Sequence, residues 1–201
     1  MTATSPTTSG PSRTRRRGLS PTDLALVTTF AALIGVCAIL PAVNGVANVP
    51  FTLQMFGVFL AGAVLGGVRG FLAVALYLAV ATAGVPIFSQ GQAGPGVWAG
   101  ATGGYLLAFP IAALLVGLVA SAAVRRGTTF QTVAVAVAAA VVTVAVVGTL
   151  GTLGMARAFD VSWSVAWGYA TPFFAVDIAK GVIAAIVAAA VHRAFPQLLR
   201  R

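Results

Sequence analysis

Charged residues are scarce in this chain of 201 residues, where they make up 7% of the sequence. A soluble domain carries about 25% charged residues. Hydrophobic residues account for 59% of the chain, and the mean hydropathy is +1.01. Because too little polar surface is available to coat a water-soluble globule, the sequence predicts a protein whose solvent is lipid.

Residues that build catalytic and metal centres are scarce as well. The chain has one cysteine, Cys37, one histidine, His192, and three acidic residues. A lone thiol forms neither an internal disulfide nor a metal cage, and a single histidine at the edge of an apolar run does not make a metal site. An intramembrane aspartyl protease needs two membrane aspartates, whereas Asp177 is alone, and no GxxxxGK[ST] loop is present to hold ATP. The sequence therefore predicts no enzyme, no cofactor and no metal.

Six apolar runs divide the chain, and a helix that crosses a bilayer needs about 20 residues. The second and third runs are short, but the glycine-rich stretch 66–70 between them favours a reversal over a single bent helix. We therefore predict an all-α integral membrane protein with six transmembrane helices. The predicted spans are 22–42, 51–66, 70–84, 101–124, 130–155 and 173–194.

The cations favour one side of the predicted membrane. Their excess, 12 Lys+Arg against 3 Asp+Glu, does not indicate nucleic acid, because most arginines form short clusters between the apolar runs. With six crossings these clusters share one side, and the other side holds Arg157 beside Asp160. The positive-inside rule then predicts a multi-pass plasma-membrane protein with both termini in the cytoplasm. The clusters are Arg13–Arg17, Arg69, Arg125–Arg126, Arg193 and Arg200–Arg201.

The chain is predicted to have two parts. Residues 1–19, rich in Ser, Thr, Pro and Arg, indicate a disordered basic cytoplasmic arm. Residues 20–201 indicate one six-helix membrane domain that binds a substrate. The arginines and the apolar run after them loosely match a twin-arginine export signal, but the five further spans favour a retained first helix.

Two charges, Asp177 and Lys180, interrupt the last apolar run, and this lysine is the one lysine of the sequence. A charge at mid-helix costs about 2.5–3.5 kcal/mol on insertion scales and indicates function by default. If Thr171 is the N-cap and Pro172 the first helical residue, both charges lie on one helix face in the outer half of the bilayer. The alternative is a self-neutralising pair that only stabilises the bundle. We favour a ligand site, because this lysine is singular in type and depth.

Other candidate binding residues lie near the outer ends of the predicted helices. Glycines at the start of the fourth span allow a ligand to approach the backbone, or alternatively allow tight helix packing. The long loop GVPIFSQGQAGPGVWAG before that span is either a lid or a simple connection. The candidates are Asn48, Gln54, Gln90, Thr102, Gly103, Gly104 and Tyr105.

This set of side chains favours a particular ligand chemistry. It offers one carboxylate acceptor, one ammonium with three donors, and several amides. Helix N-termini that point inward favour an anionic group on the ligand. A small molecule with paired N–H donors beside a carbonyl, such as a ureido ring, and with a carboxylate elsewhere matches these groups. Chemistry alone leaves the compound open.

Four segments resemble the BioY family in their order along the chain: VPFTLQMFGVFLAGAVLGGVRG, LYLAVATAGVPIF, GATGGYLLAFP and PFFAVDIAKGVIAA. That family consists of substrate-binding S components of energy-coupling factor vitamin transporters. The resemblance covers about residues 25–195. It implies a six-helix fold and high-affinity biotin binding for uptake, with Asp177 and Lys180 as the main polar contacts.

The resemblance also implies partners. Uptake in this family needs a transmembrane coupling subunit and two ATPase subunits. Family members contact the coupling subunit through small residues of the first helix, and Ala31 and Gly35 match that pattern; ordinary packing within the chain is the alternative. Two other functions stay open at this point, an S component for another small vitamin and a secondary transporter.

Overall fold

The computed structural model describes residues 19–40, 43–45 and 49–199. Two-residue strands β1 (Val43–Asn44) and β2 (Pro50–Phe51) pair antiparallel. A π-helical segment, Thr143–Gly148, joins helix Thr128–Val142 to helix Thr149–Phe159. The predicted arm, apart from its last residue, lies outside the described residues. The helices are α1 (Pro21–Ile39), α2 (Gln54–Leu65), α3 (Gly67–Thr82), α4 (Gly103–Ala123), α5 (Thr128–Val142), α6 (Thr149–Phe159) and α7 (Trp163–Ala194). Short 3-10 turns cover Ser89–Gly91, Pro95–Ala99 and Val124–Arg126.

Four helical stretches are long and apolar enough to cross a membrane, namely α1, Gly103–Arg126, Thr128–Phe159 and α7. Helices α2 and α3 are also apolar, but they have 12 and 16 residues and are shorter than a bilayer-spanning helix. The prediction of a helical membrane protein is confirmed by these helices. The number of spans stays a prediction.

The first helix begins with a capping box. Asp23 N donates to Ser20 Oγ at 3.1 Å, and Ser20 N donates to Asp23 Oδ2 at 3.0 Å. Pro21 follows Ser20 at the first helical position, where its missing N–H costs nothing. These contacts fix the start of α1 close to the predicted one.

The last helix begins earlier than predicted. It starts at Trp163, and Thr171, expected as its N-cap, is an interior residue whose Oγ1 donates to the Trp167 carbonyl at 2.9 Å. Pro172 also lies inside the helix, since membrane helices tolerate the loss of one backbone hydrogen bond. Asp177 is 14 residues after Trp163, so it lies about 21 Å along the helix instead of in its second turn.

Helix α2 occupies the centre of the bundle, where it packs against α1, α3, α4 and α7. All of its residues are buried except Phe56, which is half-buried. A side chain at Gly62 would lie 3.0 Å from Ala113 Cα, so glycine here permits backbone contact between α2 and α4. The predicted reversal after α2 is present, and it occurs at Gly66, whose φ of +84° favours glycine.

Three arginine positions meet at one end of the bundle. Arg69, at the start of α3, pairs with Asp23 at 3.0 Å and also donates to the carbonyl of Leu198 after α7. Arg125 and Arg193 line a common cleft between the end of α4 and the end of α7. The turns that carry most of the described cations therefore share one end of the molecule.

Candidate ligand-binding site

A cavity opens at the opposite end of the bundle, where α2 and α4 begin. The volume inside it that a water-sized molecule can reach is about 60 Å³, so the cavity is narrow in this structure. Its walls come from α2, α4, α7, the segment 49–52 before α2, and the loop before α4. The lining residues are Val49, Pro50, Thr52, Gln54, Met55, Phe88, Ser89, Gln92, Val97, Thr102, Tyr105, Leu106, Phe109, Phe173, Asp177 and Lys180.

Asp177 and Lys180 form the charged part of the cavity wall. Lys180 Nζ lies 2.7 Å from Asp177 Oδ1, and the two residues are 9% and 7% exposed. Among the described residues, neither side chain makes another hydrogen bond. The pair therefore neutralises itself, yet it leaves Asp177 Oδ2 and two ammonium protons for an occupant of the cavity.

Gln54 enters the cavity from the first turn of α2 and is held by a hydrogen-bond chain. Its Nε2 donates to the Tyr77 hydroxyl oxygen at 2.8 Å, and that hydroxyl donates to the Ile87 carbonyl at 3.1 Å. The chain joins α2, α3 and the loop before α4. It leaves the carbonyl oxygen and one N–H of the Gln54 amide free of these contacts.

Aromatic rings cover another part of the wall. Phe173 and Tyr105 have ring centroids 6.3 Å apart, and Phe51 stacks on Phe173 at 4.3 Å. Phe173 precedes Asp177 by four residues and therefore lies on the same face of α7 as the charged pair. Sequence reasoning missed Phe173, although this spacing was a signal for it.

Four candidate binding residues lie at the start of α4, and two of them line the cavity. Thr102 and Tyr105 line the cavity, whereas Gly103 and Gly104 do not. A side chain at Gly103 would overlap the Trp98 backbone, and one at Gly104 would overlap the backbone of α6 at Leu150. The geometry favours the packing alternative for these two glycines.

The loop before α4 lines the mouth of the cavity. Phe88 is 1% exposed, and Trp98 Nε1 donates to Thr82 Oγ1 at 2.9 Å, so the loop is anchored at two points. Ser89 lines the cavity, and its buried hydroxyl has no hydrogen-bond partner in the described chain. That hydroxyl is a polar group available to an occupant.

Two further candidates lie away from this cavity wall or outside the described chain. Gln90 lines a second, more open pocket, together with Gln92 and Phe159, and its φ is +59°. Gln92 reaches both pockets, so the structure brings Gln92 and not Gln90 to the inner cavity. Asn48 lies outside the described residues.

The two candidate partner residues lie on α1. Ala31 and Gly35 line an apolar groove between α1 and α3, whose other walls include Val80 and Ile87. Both are buried, and a Cβ at Gly35 would lie 3.6 Å from Ile87, an ordinary contact distance. The small residues thus form the floor of a lateral groove.

A bundle of apolar helices with a buried ion pair in the wall of an end-opening cavity defines a membrane-embedded protein that holds a small molecule. The model of the BioY family matches residues 11–197 of this sequence. The chain belongs to the BioY family.

Named relatives and a solved structure are similar to this chain over most of its length. The biotin transporter BioY of Rhizobium etli is 32% identical over 186 residues, which cover 91% of this chain and 100% of the relative. The biotin transporter BioY of Thermotoga maritima is 36% identical, over 79% of this chain and 89% of that protein. A crystal structure of the S-component for biotin from an ECF-type ABC transporter shares the fold, with a TM-score of 0.76, 22% identity, and coverage of 86% of this chain and 91% of that one.

Proposed function

We propose that this chain is a high-affinity biotin-binding membrane subunit that serves biotin uptake. Relatives along nearly the whole chain are named biotin transporters. The observation that carries the proposal is the Asp177–Lys180 ion pair in the wall of the cavity. A ureido ring has N–H donors and a carbonyl acceptor side by side, and it therefore complements a carboxylate next to an ammonium.

In the proposed binding mode, the side chains of the cavity wall contact different parts of biotin. Asp177 accepts ureido N–H groups, Lys180 donates to the ureido carbonyl, and Gln54 adds an amide contact. Tyr105 and Phe173 pack against the apolar part of the ring system. The valeryl carboxylate points to the mouth.

At the mouth, the groups proposed to meet the carboxylate come from the loop and from the start of α4. The Ser89 hydroxyl is buried and without a partner in the described chain, and Gln92 and Thr102 line the cavity near it. Asn48 and Gln90 remain proposed contacts of the outer loops, while Gly103 and Gly104 shape the wall by packing.

The proposed topology has six membrane spans with both termini in the cytoplasm of a plasma-membrane protein. Residues 1–19 form the basic cytoplasmic arm, and residues 20–201 form the substrate-binding domain. Support comes from the shared location of Arg69, Arg125 and Arg193 at the end of the bundle away from the cavity. Under the positive-inside rule that end faces the cytoplasm, so the cavity faces outward.

The proposed partners are a transmembrane coupling subunit and two ATPase subunits, which supply the energy for uptake. A structural neighbour of this chain is the S-component for biotin of an ECF-type ABC transporter. The apolar groove floored by Ala31 and Gly35 is the proposed contact for the coupling subunit, because small residues allow helices to approach closely in lipid.

Titration of the purified, detergent-solubilised chain with biotin, thiamine and riboflavin tests the proposed function. We expect biotin alone to release heat at low micromolar protein and to raise the unfolding temperature. Asp160→Asn is a matched control, because Asp160 is exposed between α6 and α7. Binding of another vitamin in place of biotin, or no heat and no stabilisation by biotin, would refute the proposal.

A further inference from the structure

Glycines on α6 contact neighbouring helices at a spacing of three residues, and Gly151 contacts the Tyr105 ring. A Cβ added at Gly151 would lie 2.6 Å from Tyr105 Cε1 and 2.7 Å from Cε2. Ordinary contacts between carbon atoms are about 3.5–4.0 Å. The far end of the Tyr105 ring therefore occupies the space that any side chain at Gly151 would need.

Tyr105 connects the surface of α6 with the cavity. Tyr105 lines the cavity, and its hydroxyl lies 3.9 Å from Met155 Sδ on α6. Gly151 thus allows the ring to lie back against α6. A bulkier residue at Gly151 has to displace this ring, which lines the cavity.

A larger residue at Gly151 could also be accommodated by a shift of the whole helix α4, but the backbone contact between α4 and α6 limits such a shift. A Cβ at Gly154 would lie 2.6 Å from Gly104 N, so the backbones of α4 and α6 are already in contact beside the tyrosine. The ring end is the part of this contact that can shift at least cost, because rotation about side-chain bonds moves it.

We propose that Gly151 is a specificity-determining position, which sets the width of the cavity through the position of the Tyr105 ring. This inference rests on the proposed function, since it concerns how the same cavity selects its ligand. Gly151 touches the ring and not the ligand, so it is a positioning residue. A wide cavity at this point suits a fused bicyclic ligand, and a narrower one suits a single ring.

Biotin and dethiobiotin distinguish these cases, because both carry a ureido ring and a carboxylate but only biotin has the second, sulfur-containing ring. We expect Gly151→Ala to weaken biotin binding at least tenfold and dethiobiotin binding less than threefold, as measured by titration calorimetry. In a Tyr105→Ala background, Gly151→Ala should change biotin affinity less than twofold, because no ring is left to displace.

Two glycine variants serve as comparisons. Gly168→Ala is the matched control, because a Cβ there meets no atom within 4 Å; it should leave the affinity unchanged and raise the unfolding temperature slightly, since alanine favours the helix more than glycine. Gly154→Ala disturbs the backbone contact of α4 with α6. It should lower the unfolding temperature of the ligand-free chain and leave the ratio of the biotin and dethiobiotin affinities unchanged.

The outcomes separate the two proposals. If the unaltered chain fails to bind biotin, the proposed function is wrong and this inference falls with it. If the unaltered chain binds biotin but Gly151→Ala leaves the affinity ratio unchanged, or acts equally without the Tyr105 ring, only the inference is overturned.

Discussion

Lys180 Nζ lies 2.7 Å from Asp177 Oδ1, one helical turn apart on α7 and in the wall of the cavity. A buried ion pair contributes little to stability, because the desolvation of both charges offsets their attraction. Stability alone therefore gives little reason to keep such a pair inside an apolar helix. A ligand that binds the free carboxylate oxygen and the free ammonium protons is a better reason for the pair to be present.

Removing the pair in two ways separates its structural role from its proposed binding role. The single variants Asp177→Asn and Lys180→Met leave one group unpaired, and each should destabilise the fold by up to about 3–5 kcal/mol, the cost of breaking a buried pair. The double variant should recover most of this stability, since no charge remains, but it should bind biotin at least 100-fold more weakly. Thermal unfolding and titration calorimetry measure the two effects. Near-native biotin affinity in the double variant would assign the pair to structure alone.

The hydrogen-bond chain behind Gln54 leads to a second prediction. Tyr77→Phe removes the acceptor for Gln54 Nε2 and the donor to the Ile87 carbonyl. Unpaired buried polar groups cost about 1–3 kcal/mol each. We expect a lower unfolding temperature and weaker biotin binding, because both the amide and the loop lose their anchor.

The control for this variant is Tyr169→Phe. Tyr169 is half-buried on α7, and within the described chain its hydroxyl makes no hydrogen bond, so both quantities should stay unchanged. Equal effects of the two substitutions on unfolding temperature and affinity would contradict the role of Tyr77.

Cysteine labelling tests the proposed sidedness. In a Cys37→Ala background, Gln92→Cys should react with a membrane-impermeant maleimide added to intact cells, whereas Arg126→Cys should react only after the membrane is opened. Gln92 lies at the mouth of the cavity, and Arg126 lies at the arginine-bearing end. The reverse pattern would invert the topology, and labelling of both residues from outside would refute the span count.

The groove between α1 and α3 is tested by filling it. Gly35→Ala adds a methyl group at the floor of the groove, at an ordinary contact distance from Ile87, and we expect co-purification with the coupling subunit to fall while the isolated chain still binds biotin. Val133→Leu, at an exposed position of α5, is the control for a larger apolar side chain elsewhere on the lipid-facing surface. Undiminished co-purification of the Gly35 variant would favour packing within the chain as the role of this glycine.

The sequence alone predicts those residues of the site that differ in polarity from their neighbours along the chain. Asp177 and Lys180 stand out because charges are costly in an apolar helix, and Gln54 stands out for a similar reason. All three line the cavity. The sequence prediction placed the start of α7 too late, because Thr171 followed by Pro172 is a pattern typical of helix starts. Membrane helices also tolerate proline in their interior, so the pattern does not identify a start here.

The remaining features depend on contacts between distant parts of the chain. Nothing near Tyr77 in the sequence indicates that its hydroxyl meets Gln54, 23 residues away. The use of Gly104 and Gly151 as packing positions likewise follows from how α4 meets α6. Such pairings arise only when helices are assembled, so periodicity along one helix does not contain them.

The burial of α2 has a consequence for how the protein responds to its membrane. With 12 residues, α2 is about 18 Å long, much shorter than the roughly 30 Å hydrocarbon layer. A short helix in contact with acyl chains would force the bilayer to thin or the helix to recruit flanking anchors. Because its neighbours enclose it, hydrophobic mismatch acts on the surrounding helices, and the element that carries Gln54 is insulated from changes in lipid chain length.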